Sequence, residues 1–452
     1  MNSIFVQIAS YRDPQLIPTL KSLIDNAKSP KNLTIGICWQ HADDETVELF
    51  LDEGFDIVDA DVDTDKKLIS LSYNKAKLKV IDIHYLETQG ACWARHAIQQ
   101  LYDGEKYTLQ LDSHHRFVKN WDSILIDMLE SVREDSPKPL LTSYISSFDP
   151  ENDPAMRIQE PWKMDFDRFI PEGAVFFLPS TIEDYKTRTK PLRGRFYSAH
   201  FAFADGSFAV EVQHDPEYFF HGEEISIAAR AFTHGYDLYH PHKTVAWHEY
   251  TRKGRIKVWD DHTTPQKNKG KVKLDWVERN NICHNRNRIL FGMDGLDPTS
   301  IDFGKYGFGT ERTLREYEEY AGISFKHRSV TQTTIDRLEP EPPQKGSQYT
   351  EKEWETKLTR SNDIHVLLHK NELLMDDELP DDYDFWYIGA HDSDNVEVFR
   401  KDKNAAEIKP LLKTEWIDFR LIYLSNKETQ TYTVWPHSVS RGWCNKITKN
   451  AT

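Results

Sequence analysis

The stretch YTLQLDSHHRFVKNW, Tyr107 to Trp121, carries the residues of this chain best suited to holding a divalent cation. Its apolar run (Tyr107, Leu109, Leu111) ends on Asp112-Ser113-His114. Residues two apart on an extended segment point to the same side, so Asp112 and His114 can reach one point in space. A carboxylate and an imidazole there suit a divalent cation and leave room for phosphate oxygens. Asp, Ser and His are also ordinary turn residues, and a short triplet matches by accident easily. The weight therefore falls on the elements around it.

Alternating strands and helices surround the triplet. Ser3 to Ala9 reads as a buried first strand. Ser10-Tyr11-Arg12 then leads to Asp13-Pro14, the pattern of a helix cap followed by proline at the first helical position. Leu16, Ile17, Leu20, Leu23 and Ile24 follow at helical spacing. Leu33 to Trp39 reads as a second strand, Thr46 to Glu53 as a helix, and Phe55 to Val62 as a third strand. This alternation predicts an α/β sheet, parallel at least in this half. Ligands of such sheets bind beyond the C-terminal strand ends, which puts Ser10, Tyr11, Arg12, Trp39 and Gln40 on the same rim as Asp112. Gly90 to Leu101 is a helix carrying Arg95. Guanidinium groups grip a diphosphate in a planar fork, so Arg12 and Arg95 are candidates for that role, with a structural ion pair as the alternative for either. Tyr11 is a candidate for stacking on a base.

After the triplet, Trp121, Ile124, Leu125, Met128, Leu129 and Val132 give a helical core stripe, and Leu140 to Ile145 a strand. Residues 146–195 are irregular, as lids and acceptor-binding insertions are. Phe201 to Val212 reads as extended, Gly222 to His234 as a helix, and Leu238 to His240 and Thr244 to Tyr250 as strands. Residues 252–273 form a basic loop, and Thr310 to Ala321 a charged helix. The proline-rich segment DRLEPEPPQKGSQ marks a linker at 336–349. The chain is thus expected to divide into a domain over 1–335, the linker, and a β-rich accessory module over 350–452. Trp386, Tyr387, Trp416, Tyr423, Trp435 and Trp443 either fill that module's core or present aromatic platforms to sugars.

Composition excludes several classes. A net charge of −16 argues against nucleic acid as the main partner. No stretch approaches the ~20 apolar residues of a spanning helix, and the first residues lack the basic and apolar regions of a signal peptide. Four scattered cysteines fit a reducing compartment. A cytoplasmic protein is expected.

The segments IFVQIASYRDPQLIPTLKSLI, GACWARHAIQQLYDGEKYTLQLDSHHRFVKNWD, FFHGEEISIAARAFTHGYDLYHP, AWHEYTR and RTLREYEEYAGI together resemble the cytoplasmic polypeptide N-acetylglucosaminyltransferases, over about residues 1 to 325. Eukaryotic members modify a hydroxyproline on a ubiquitin-ligase adaptor subunit. The resemblance implies a GT-A (Rossmann-like) nucleotide-sugar transferase domain, UDP-GlcNAc as donor, a divalent metal and retention of anomeric configuration. Carried over by position, it makes Asp112, His114 and His248 metal ligands, with Ser10, Tyr11, Arg12, Arg95 and Asp112 around the nucleotide. Mixed nitrogen and oxygen ligation favours Mn²⁺ over Mg²⁺. HGEEISIAARAFTHGYDLYHP is also similar to a helix of the polypeptide GalNAc transferases whose first acidic residues contact the donor sugar. That makes Glu223 and Glu224 catalytic candidates; the alternative is acidic capping of a helix N-terminus.

The implied reaction moves GlcNAc from UDP-GlcNAc to a hydroxyl on a protein (hydroxyproline, Ser or Thr). Two other readings stay open at this stage. One is the same donor chemistry on a glycan, lipid-linked or small-molecule acceptor; the other is a non-catalytic carbohydrate-binding protein.

Overall fold

A computed structural model describes residues 2–61, 67–375 and 378–451 of the chain. These form two compact units, 1–166 with 177–321 and 337–348, and 167–176 with 322–336 and 349–452. Most of the expected linker thus runs with the first unit, and the residues just before it run with the second.

The first unit begins with β1 (Ile4–Tyr11), α1 (Leu16–Asp25), β2 (Leu33–His41) and the short α2 (Glu48–Leu51). β3 (Asp56–Asp61), β4 (Lys67–Tyr73), β5 (Ala76–His84) and α3 (Ala91–Gln99) follow. Val62, the expected end of the third strand, lies outside the described residues. Next come β6 (Tyr107–Asp112), β7 (His115–Phe117), α4 (Trp121–Ser131), β8 (Pro139–Thr142), and the hairpin of β9 (Trp162–Phe169) and β10 (Val175–Thr181), whose tip at 167–176 belongs to the second unit. β11 (Leu192–Arg193), β12 (Phe201–Asp205), α5 (Phe208–Glu211), α6 (Glu223–Thr233), β13 (Asp237–His240) and β14 (Ala246–His248) complete the part that builds the site.

Among the described residues, one sheet runs in the order β11-β13-β8-β12-β6-β1-β2-β5-β4-β3. Its middle is parallel: β1 pairs with β2 and β6, and β2 with β5. The expectation of a parallel first half fails at the edge. β4 returns antiparallel along β5 through a tight turn at Asn74 and Lys75, and β3 pairs antiparallel with β4. β12 is likewise antiparallel to β6 and β8. The sheet is therefore mixed, and the α/β class is as expected.

The core follows from the apolar stripes. α1 buries Leu16, Leu20, Leu23 and Ile24, each stabilising by about 1.5–3 kcal/mol. α4 buries Trp121, Leu125, Met128 and Leu129, and the Trp121 indole donates to Leu23 O at 2.8 Å, tying the two helices together. Two other expectations are corrected, and one helix stands where none was expected. The segment 201–212 does not stay extended: after the Asp205-Gly206 turn it closes into α5. The basic loop contains the helical turns Val258–Asp261 and Thr264–Asn268. A fifteen-residue helix, Trp276–Leu290, stands where periodicity gave no signal, because its sequence WVERNNICHNRNRIL keeps no apolar stripe; an Asp275/Glu278 capping box starts it.

The second unit is β-rich. Ile323–Ser324, Ser329–Thr331, Leu358–His369 and Trp416–Ser425 form one sheet, and Tyr383–His391 and Thr431–Ser438 lie at the heart of another. Val366, Leu368, Trp386, Ile388, Leu421 and Val434 fill the core between their faces. The aromatic residues split: Trp386 and Tyr423 are buried, whereas Trp416 and Trp443 are 50% and 47% exposed.

Candidate active site

β6 lies between β1 and β12 in the middle of the sheet and delivers Asp112 at its C-terminal end. Three residues later, at His115, β7 begins and pairs antiparallel with β14, His115 facing His248. This pairing brings a residue far along the chain to the end of the central strand. Ligand atoms of Asp112, His114 and His248 lie within 4.8 Å of one another. Asp112 Oδ2 is 3.5 Å from His248 Nε2 and 3.7 Å from His114 Nε2.

The donor set fits a divalent metal. Neither ring nitrogen of the buried His248 has a hydrogen-bond partner, a costly arrangement unless a ligand completes it. Burial, with His114 and His115 nearby, holds the His248 imidazole well below its ordinary pKa, so it is neutral, the ligating form. Burial opposes the charge on Asp112, but the contact to His248 and the charges of Arg95 and His114 outweigh it and hold the carboxyl well below its usual range. A neutral His248 imidazole and an ionised Asp112 carboxylate, with the His114 ring beside them, suit Mn²⁺ or a similar ion.

Two charged partners, Asp13 and Arg95, set this geometry. Asp13, 3% exposed at its side chain, precedes α1, which starts at Leu16. Asp13 Oδ1 accepts from Gln15 N at 2.8 Å, as a capping residue would. Its Oδ2 accepts from Ser113 Oγ and His114 Nδ1, both at 2.7 Å. His114 therefore keeps its Nε2 lone pair, the tautomer that such outer partners select in metal sites. The sequence reading gave Asp13 only its capping role. The signal was present, since the residue stands at the end of β1 on the rim where ligands bind.

Arg95 supplies the second partner. It is buried and spends one Nη on Asp112 Oδ1 and the other on Glu223 Oε1, each at 2.8 Å. Asp112 Oδ1 is thereby engaged and Oδ2 is turned to the histidines. Arg12 is committed as well: it binds Asp261 at 3.0 Å and lies 4.5 Å over the Tyr85 ring. Tyr11 lines the cavity and donates to the same Asp261 at 2.9 Å, and the buried Ser10 offers its carbonyl to Gln40 Nε2 at 3.1 Å. The structure thus gathers the expected nucleotide residues on one rim, with both arginines in ion pairs.

Glu223 and Glu224 open α6 behind Gly222, whose φ of +93° is the left-handed conformation glycine favours. Glu223 accepts from Arg95 and from the Cys92 thiol; burial raises its pKa against the pull of Arg95. Glu224 accepts from Ala199 N and Tyr144 Oη, both at 2.9 Å, and burial pushes it up to about 7. Glu223 is buried and Glu224 half-buried, and Glu223 reaches the site through Arg95, which also holds Asp112. His200 stacks on His248 with ring centroids 4.2 Å apart, and its Nε2 meets Tyr250 Oη at 3.1 Å.

The segment after β14 closes over the triad. Arg252, Arg255 and Lys257 line the cavity with Trp259 and Phe220. The Arg252 guanidinium lies 5.5 Å over Phe220 and 5.9 Å over Trp259. The sequence reading named 252–273 as a basic loop without assigning its arginines.

A sequence profile described as Glycosyltransferase (GlcNAc) matches residues 3–327. The match covers well over half of the chain, which therefore belongs to that family and is a glycosyltransferase. No curated protein sequence matches it. Among solved structures, GalNAc-T7 with UDP, GalNAc and Mn²⁺ is 16% identical over 71% of this chain and 55% of its own, with a TM-score of 0.41. The S. aureus protein TarS (residues 1–349) in complex with UDP-GlcNAc is 11% identical over 64% of this chain and 73% of its own, TM-score 0.35. The Pyrobaculum calidifontis mannosyltransferase PcManGT with GDP-Man and Mn²⁺ is 10% identical over 56% and 58%, TM-score 0.35. Likeness at this level carries no function. Among the described residues no helix is long and apolar enough to cross a membrane.

Proposed function

We propose that this chain is a metal-dependent, retaining glycosyltransferase of the GT-A type, moving GlcNAc from UDP-GlcNAc to a hydroxyl on a protein. The observation that carries the metal dependence is the convergence of Asp112, His114 and His248, with both His248 nitrogens unpartnered. The donor and the protein acceptor rest on family membership and on the sequence resemblance to hydroxyproline-modifying enzymes.

Asp112 Oδ2, His114 Nε2 and His248 would hold the metal, which when bound neutralises charge developing on a diphosphate leaving group. The rest falls to the protein. Asp13 fixes the His114 ring, and Arg95 fixes the Asp112 carboxylate, so no side chain need reorganise as charge builds. Tyr11 and Gln40, at the ends of β1 and β2, flank the cavity on the side assigned to the base. Glu223 accepts from Arg95 and Cys92, and Glu224 from Ala199 and Tyr144; we assign both to holding the residues behind the donor sugar rather than to proton transfer. Phe220, Trp259 and the segment around Arg252 keep water from the reacting carbon.

The test is UDP release from a panel of UDP-sugars, with EDTA or Mn²⁺, for the wild type and Asp112→Ala. Mn²⁺-dependent turnover of UDP-GlcNAc that vanishes in the variant is expected. No turnover with any donor, and no metal-dependent UDP binding, would sink the proposal.

A further inference from the structure

The structure gives Arg255 a position that a metal must contest, an inference that rests on the metal-site reading above. The Arg255 side chain, 11% exposed, turns into the site from the segment after β14. Its Nη1 lies against both ring nitrogens of His114, 2.9 Å from Nε2, and 3.3 Å from Asp13 Oδ2. Its Nη2 binds Glu249 Oε2 at 2.8 Å. Glu249 is itself buried, and its other oxygen accepts from Arg252 N at 2.9 Å and from the Thr251 hydroxyl. The turn is completed by two residues in the left-handed region, Arg252 at φ +54° and Gly254 at φ +71°. The segment is thus folded onto one buried carboxylate and latched by one guanidinium.

His114 has a single free lone pair, because Nδ1–H is given to Asp13. That lone pair, on Nε2, faces Asp112. A guanidinium held against the ring and a metal ion on Nε2 would put two cations on one imidazole, and these repel. The cavity agrees. With the segment in this position the open cavity holds about 160 Å³, below the ~300 Å³ where ligand pockets begin, which favours movement of the segment when a nucleotide sugar binds. The expected diphosphate arginines, Arg12 and Arg95, are held by Asp261, Asp112 and Glu223. Arg255 is the guanidinium that a metal would set free beside the leaving group.

We propose that Arg255 is a further binding residue of this site: an internal cation that holds the ligand set together, is displaced from His114 by the metal, and then serves the diphosphate. The two roles predict opposite signs for one substitution. In Arg255→Ala, Mn²⁺ binding without nucleotide, followed by calorimetry, should tighten on the order of 5–150-fold, the usual range of coupling between sites. UDP binding in the presence of saturating Mn²⁺ should weaken. Arg255→Lys should fall between the two. In the wild type, Mn²⁺ should accelerate trypsin cleavage at Arg252, Lys253, Arg255 and Lys257, a readout that needs no variant to fold. Unchanged Mn²⁺ affinity in Arg255→Ala together with cleavage indifferent to Mn²⁺ would overturn the displacement. Unchanged UDP affinity would overturn the diphosphate role. Absence of Mn²⁺ binding in the wild type, with Asp112→Ala indistinguishable from it, would instead remove the metal-site reading itself.

Discussion

His114 gives its Nδ1–H to Asp13 across 2.7 Å, and that one bond decides which nitrogen faces Asp112. The two residues are about a hundred positions apart and belong to different strand ends of the same rim. A residue that reads as a helix cap is in this way part of the site's geometry.

Replacing Asp13 with Asn should therefore weaken Mn²⁺ binding roughly 10–100-fold, the usual cost of losing an outer partner of a metal-bound histidine. Asn retains an oxygen for Gln15 N, so helix α1 should persist. Calorimetric Mn²⁺ titration beside a far-ultraviolet circular dichroism spectrum separates the two effects.

Arg95 lies between two carboxylates in the interior. Arg95→Met leaves Asp112 and Glu223 facing each other without a cation, and removing one partner of such a buried set costs about 3–5 kcal/mol. Urea unfolding should show a loss of this size, and Arg95→Met with Glu223→Gln should recover part of it. Equal stability of wild type and single variant would mean the network is not formed in solution.

Glu224, pushed up to about 7 mainly by burial, binds its proton more tightly folded than unfolded, where a carboxyl titrates near 4.3. The native state then carries more protons between the two pKa values, so its contribution to stability is full below the unfolded value and is lost as pH rises through about 7. Glu224→Gln mimics the protonated carboxyl, and the Tyr144 hydroxyl can turn to accept from its amide. The variant should flatten the fall in unfolding free energy from pH 5 to 7. A profile parallel to wild type would place the titration elsewhere.

In the second unit, Trp386 is wholly buried among Ile388, Val434 and Leu421, whereas Trp443 is half exposed. Trp386→Ala should cost about 3–5 kcal/mol, and Trp443→Ala should stay within about 0.5 kcal/mol. Chemical denaturation of the full chain measures both. A large loss at Trp443 would show that its ring, 4.5 Å from that of Trp435, is packed more firmly than its exposure suggests.

Much of this was legible in the sequence where a physical rule applies to neighbours along the chain. The stripes of α1 and α4 and the buried strands β1, β2 and β6 follow from local periodicity, whereas His114 lies past the end of β6 and meets Asp112 through the bend at Ser113. What failed was set by partners far away or by polar surfaces. The helix Trp276–Leu290 has no apolar face to announce it. The antiparallel return of β4 along β5 depends on a turn at Asn74-Lys75 that lacks glycine. Arg12 and Arg95 have the right chemistry for a diphosphate, but only the folded chain reveals Asp261 and Glu223 waiting for them. Arg255 sat in a loop whose composition announced charge and nothing about direction.

The pairing of β7 with β14 has a consequence for the order of events in the cell. His115 and His248 are separated by roughly 130 residues of chain, a closure that costs entropy before it returns any contact. On a ribosome adding about 5–20 residues each second, Asp112 and His114 emerge many seconds before the strand that brings their third companion. The nascent protein therefore passes through a stage in which two of the three proposed ligands are present without the third. Under the proposed metal site, capture of the ion would then be a late step, following the pairing of β7 with β14.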